Sequence, residues 1–176
     1  MRIDRPDAFL AYWLMPAEPT KGLLASMIAN LAARFDAPLF EPHVTVYATK
    51  EANFEALSDA VAVYEPFLLT VRDIQCSDEF TKTLFARFGP SKALSLLSDE
   101  LKQASGSHDE YQLNPHLSLI YKEMTPGARA ELAASIQLPF TEVTFDCAKA
   151  VLCPRAVTSG KDVEDWRVVA TQRMTK

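Results

Sequence analysis

A chain of 176 residues has room for one or two compact units with a real core and none for a separate regulatory domain. With 48% apolar and 23% charged residues, its composition is that of a folded protein and excludes disorder. The formal net charge of -5 argues against long nucleic acid, whose binding draws on clustered Lys and Arg, and leaves small phosphorylated ligands open.

Residues 9–14, FLAYWL, are aromatic and apolar and stop before Pro16, which reads as a buried strand. The segment lacks the small-residue cleavage site of a signal peptide, and no stretch approaches the ~18 apolar residues of a membrane span. From Pro19 to Phe35, with Thr20 as cap, Leu23, Leu24, Met27, Ile28 and Leu31 recur at helical spacing. LFEPHVTVYA then alternates at the strand period, with His43, Thr45 and Tyr47 on one face and Val44 and Val46 on the other. Residues 51–64 read as a helix, and PFLLTVRDIQCSD and FTKTLFARFG as two strands joined by an acidic connection.

Pro90 to Gly106 is again helical through Ala93, Leu94, Leu97 and Leu101, with Gly106 as terminator. A loop, SGSHDEYQ, precedes the short strand NPHLSLIYK and the helix TPGARAELAASIQ, which opens on a Pro. The rest reads as strands around FTEVTFDCAKAVLC and WRVVATQRM. Strands mixed with helices, but with five glycines and no glycine-rich strand-to-helix turn, point to an antiparallel α+β body rather than a nucleotide fold of the doubly wound kind. Cys76, Cys147 and Cys153 are odd in number and lack CxxC spacing, as expected of reduced thiols in a cytoplasmic protein.

One internal echo carries chemistry. Glu41-Pro42-His43-Val44-Thr45-Val46 in the first half is matched by Asn114-Pro115-His116-Leu117-Ser118-Leu119 in the second, each on an expected strand that precedes an expected helix. The chain reads as a duplicated half. On a strand the i and i+2 side chains share a face, so each copy presents one imidazole and one hydroxyl. Two such faces opposed across a groove would flank a phosphate. Opening a cyclic phosphate needs a base for the attacking water and an acid for the leaving alkoxide, and an imidazole with a pKa near ~6.5 serves either role. The Thr45 and Ser118 hydroxyls would donate to the non-bridging oxygens. A lone strand histidine is ordinarily a satisfied structural residue; two of only three histidines in matching contexts are not ordinary, and His108, in the Ser- and Gly-rich loop, reads as surface.

At these residues the sequence resembles the two-histidine phosphoesterase superfamily, defined by two His-x-Thr/Ser motifs, and most closely its cyclic phosphodiesterase branch. The resemblance implies a bilobal fold, with two antiparallel sheets flanked by helices around a central cleft, formed by residues 1–176 as a single domain of two pseudo-symmetric lobes. It implies His43 and His116 as catalytic, Thr45 and Ser118 as phosphate-binding, and metal-independent hydrolysis of ADP-ribose 1″,2″-cyclic phosphate or a nucleoside 2′,3′-cyclic phosphate. Trp13 and Tyr121 match places where that branch carries a Trp and a Tyr. By strand position Tyr47, Phe85 and Arg87 are further cleft candidates, Arg87 with a solvated ion pair as its other role.

No HExxH or clustered His/Asp motif suggests a metal, no cofactor is called for, and the expected partner is a small cyclic-phosphate nucleotide bound by a monomer without membrane contact. Two alternatives stand: a 2′-5′ RNA ligase-like or RNA-end phosphodiesterase, which basic cleft residues would favour, and a nucleotide-binding module without turnover, which loss of one imidazole would favour.

Overall fold

The computed structural model describes residues 8–51, 53–108 and 110–175. Along the chain run β1 (Ala8–Pro16), α1 (Thr20–Phe35), β2 (Val44–Thr49), α2 (Glu55–Val61), β3 (Phe67–Cys76), a 3-10 turn (Phe80–Lys82), β4 (Leu84–Phe88), α3 (Lys92–Ser105), β5 (His116–Ile120), α4 (Pro126–Ser135), β6 (Glu142–Pro154), α5 (Gly160–Glu164) and β7 (Arg167–Arg173). The α+β expectation holds, with the strands joined in one sheet rather than the two expected. All ladders are antiparallel and the strands form one sheet in the order β1-β2-β5-β4-β3-β6-β7, with β6 also pairing β1.

Two halves are evident in that order. The long β6 serves both: its start pairs β3, and its remainder lies between β1 and β7. On the other side the halves meet through one pair, Val44 on β2 against Leu117 on β5. Both residues are fully buried and both belong to the echoed motifs, so the two His-x-Thr/Ser segments lie side by side in the sheet.

Pleating divides the sheet into two faces. Leu10, Tyr12 and Leu14 of β1 join the main core, while Ala11, Trp13 and Met15 form a smaller cluster with Val151 on the opposite face. α1 adds Leu24, Ile28, Leu31 and Ala32 to the main core at helical spacing. Leu23, expected inside, is 47% exposed, because it lies about 100° around the helix from Leu24. Thr20 is the first helical residue and Pro19 precedes it without a side-chain cap bond.

α3 buries Leu94, Leu97 and Leu101, is capped by Ser91 on Leu94 N, and ends at Gly106 with φ of 68°, where a residue with a Cβ would be strained. Of the span 51–64 only Glu55–Val61 is helical, residue 52 lying outside the described residues. Asn53 Oδ1 takes the Glu55 N–H, a local bond that begins the helix late, and Pro66 disfavours helix at Glu65. α5 is one turn, too short to show periodicity, and a Ser159–Asp162 capping box holds it.

Candidate active site

Pro42 has no N–H to give to a ladder, and the expected strand over 39–48 starts only at Val44. In the short turn this leaves, Glu41 O comes within 2.7 Å of His43 Nδ1. The second copy repeats the arrangement: Asn114 O lies 2.7 Å from His116 Nδ1 across Pro115. A carbonyl oxygen only accepts, so each Nδ1 carries the proton and each neutral ring keeps its lone pair on Nε2. Each X-Pro-His segment thus sets a tautomer as well as a position.

Carried one residue either way, the antiparallel register through Val44 and Leu117 sets His43 opposite Ser118 and Thr45 opposite His116. Each imidazole has the other copy's hydroxyl as its neighbour. All four residues line one cavity of about 320 Å³, on the face away from the main core. Its size suits a small ligand.

His43 is 8% exposed and stacks face to face on Trp13, with ring centroids 3.7 Å apart and planes 13° from parallel. Trp166 meets both rings edgewise, at 4.9 Å from Trp13 and 5.9 Å from His43. Phe40 approaches His43 from another side and stacks on Tyr121 at 3.8 Å. An aromatic face favours a cation, yet loss of hydration outweighs it: burial pushes the His43 pKa down to about 4, against the raising effect of the Glu41 carbonyl. The ring is neutral at pH 7. His116 is more open and has Phe85 edge-on at 5.4 Å; burial lowers its pKa too, while its carbonyl bond and Glu79 raise it and Lys82 lowers it.

The Ser118 hydroxyl donates to Thr81 O at 2.6 Å and lies beside the Tyr121 hydroxyl. Burial raises the Tyr121 pKa, so that phenol remains a donor. Glu41, whose carbonyl orients His43, is tied through its carboxylate to Lys149 and Lys21.

Of the further cleft candidates, Trp13 and Tyr121 line the cavity. Trp13 gives one face to His43 itself, so that face is closed to a base. Phe85 does not line the cavity; it is buried behind His116. Tyr47 is in the main core, stacked with Tyr12 and edge-on to Tyr111, and the expectation from simple alternation is corrected by a bulge. Tyr12 opposes Tyr47 while Trp13 opposes Thr45, so Val46 is an extra residue and the face inverts after Thr45. β5 does the same: Leu84 opposes Ile120 and Phe85 opposes Ser118, so Leu119 is extra. That second bulge sends Ile120 inward and turns Tyr121 to the cavity. Arg87 is on the correct face but outside this cavity, paired through Nε and Nη2 with Asp73 and lining a neighbouring hollow.

Trp166, Lys82, Thr81, Tyr111, Gln112 and Asn114 line the cavity and were not anticipated. Asn114 and Trp166, one a motif residue and the other one of two Trp, carried a signal; Lys82, the last residue of the 3-10 turn, carried none. Among the described residues no three His, Cys, Asp or Glu side chains gather as metal ligands, and no helix is long and apolar enough to cross a membrane.

The model of the 2'-5' RNA ligase superfamily matches residues 36–157, a span that includes both motifs. Among curated proteins none matches. Solved structures share the fold: Escherichia coli LigT in its apo form at 16% identity and a TM-score of 0.57, covering 98% of this chain and 100% of that one. LigT complexed with 3'-AMP is similar at 14% identity and a TM-score of 0.54, covering 97% and 99%. TT0787 of Thermus thermophilus is similar at 14% identity and a TM-score of 0.55, covering 94% and 97%. With its family model spanning both His-x-Thr/Ser segments and its whole length following the LigT fold, the chain belongs to the 2'-5' RNA ligase superfamily of two-histidine phosphoesterases.

Proposed function

We propose that this protein is a cyclic phosphodiesterase that opens a small substrate, ADP-ribose 1″,2″-cyclic phosphate or a nucleoside 2′,3′-cyclic phosphate, to a phosphomonoester without a metal. The observation that carries the reading is the pair of Nδ1-anchored imidazoles lining one cavity of about 320 Å³. With the phosphate between them, the buried and neutral His43 takes a proton from water at Nε2 as the water oxygen bonds to phosphorus. The bond from phosphorus to the ribose oxygen breaks in line, and His116, protonated at Nε2, gives its proton to the leaving alkoxide. Thr45, Tyr121 and Lys82 supply donors and charge for the non-bridging oxygens; Ser118 joins them by turning its hydroxyl away from Thr81 O.

Among the described residues lining the cavity, Lys82 is the one lysine or arginine, which favours a small substrate over a long RNA end. The test is a panel of ADP-ribose cyclic phosphate and the four nucleoside 2′,3′-cyclic phosphates. Ring opening of at least one to a monoester is expected; no turnover on any would leave the binding-module reading.

A further inference from the structure

A second hollow, of about 440 Å³, adjoins the first, and Asn114 lines both. Its charged residues are Arg72 and Arg87, and Phe88, Leu94 and Leu113 supply apolar wall. Both guanidinium groups are there for a structural reason. Arg87 opposes His116 across the β4–β5 ladder on the same face, which puts their Cβ atoms about 5 Å apart. Arg72 would point to the core under simple alternation, since Asp73 opposes Arg87 on the cavity face. However, Val71 opposes Phe88 and Asp73 opposes Arg87, so Arg72 is an extra bulged residue and is turned to the same side. Its neighbour Val71 takes the core-facing position instead.

The charge does not cancel. Asp73 is held below the usual carboxylate range by its hydrogen bonds from Arg87, and it accepts from Arg87 and Gln75, leaving Arg72 outside the hydrogen-bonded pair. Arg87 commits Nε and Nη2 to Asp73, and its Nη1 is not part of that pair. A planar guanidinium fixed by one carboxylate, beside an exposed second one, suits a phosphate group. In a chain of net charge -5 this is a local reversal of sign, next to the residue expected to protonate the leaving group.

We infer that the Arg72–Arg87 hollow is a subsite for a second phosphate of the substrate, one ribose away from the cyclic phosphate held between His43 and His116. This rests on the cyclic phosphodiesterase reading and narrows it: the preferred substrate carries a further phosphate, as a terminal monoester or as a bridging diester or pyrophosphate. A bare nucleoside cyclic phosphate leaves the hollow empty.

Two measurements test it. In calorimetric titration, adenosine 3′,5′-bisphosphate should bind at least tenfold more tightly than adenosine 3′-phosphate, and Arg72→Gln should bring that ratio to within twofold. In turnover, kcat/KM should be higher for 2′,3′-cyclic AMP bearing a 5′-phosphate than for 2′,3′-cyclic AMP. A dinucleotide ending in a 2′,3′-cyclic phosphate separates a bridging from a terminal second phosphate. Arg87→Lys, which keeps a cation for Asp73 but loses the fork, should lower the ratio less than Arg72→Gln, since Arg72 is the guanidinium outside the Asp73 pair. Equal affinities for the two adenosine phosphates, or an Arg72→Gln variant that weakens both alike as a distant solvated charge would, overturn the inference. Ring opening without any preference defeats the subsite alone, whereas a binding preference without turnover on any cyclic phosphate defeats the enzymatic reading.

Discussion

Under the proposed mechanism each imidazole should be indispensable, because each is assigned a proton transfer that solvent performs poorly. His43→Ala and His116→Ala should each lower turnover by ~10²- to 10⁴-fold, about 3 to 5 kcal/mol of barrier, with near-UV circular dichroism unchanged. Thr45→Ala should be milder, since Tyr121 and Lys82 remain in the cavity. The double histidine variant should fall well short of the product of the single losses, because both rings act on one transition state. If either single variant kept near wild-type turnover on the best substrate, the paired mechanism would be wrong.

His43 also makes a stability prediction whose sign follows from its burial. Its folded pKa is depressed to about 4 from an ordinary 6.5, so the folded state resists taking up a proton that the unfolded chain accepts. Stability from this residue is complete above pH 6.5 and is lost as pH falls from there toward 4, by about 3 kcal/mol in all. Urea denaturation at pH 7, 5.5 and 4 should show this slope, and His43→Gln should flatten it. A slope the same in both proteins would place the titration elsewhere.

At the scale of elements, the two bulges decide which side chains reach the cavity, and each must satisfy the backbone it displaces. The Val46 carbonyl, at the first bulge, accepts from the buried Ser98 Oγ of α3 at 2.9 Å. Ser98→Ala leaves that carbonyl without this donor, and should lower stability by ~1 to 3 kcal/mol. Because the bulge adjoins Thr45, kcat/KM should fall as well, by a smaller factor than in either histidine variant. A stability loss with kinetics untouched would show that the bulge holds its geometry without α3.

For the whole molecule, the proposed acid, base and phosphate donors are all side chains, and turnover should therefore persist in excess EDTA. Loss of activity on chelation, restored by one divalent metal, would refute the metal-free reading. The net charge of -5 bears on partners in the same way. Long RNA should bind weakly, with affinity that changes little between low and physiological salt, because few phosphates are neutralised. Tight binding at physiological salt would move the assignment toward RNA ends.

The α+β class, the buried strand at β1, the helical faces of α1 and α3 and the two motif copies were all legible in the sequence. They depend on contacts between residues a few positions apart, and periodicity records those directly. Even the tautomer of each imidazole is local, since X-Pro-His brings its own acceptor to Nδ1. What decided the rest was pairing between distant strands. Alternation alone put Tyr47 in the cleft; only the register of β1 against β2 shows an extra residue at Val46, and only β4 against β5 shows one at Leu119. Those two insertions bury Tyr47 and bring Tyr121 to the cavity. Trp166 lies far from Trp13 and His43 in sequence, and its place depends on where β6 and β7 pack. The sequence by itself determined which groups can do the chemistry, because that is a property of residue type and near neighbours. The tertiary structure alone decided which of them share a cavity, because one residue of register moves a side chain from one face of the sheet to the other.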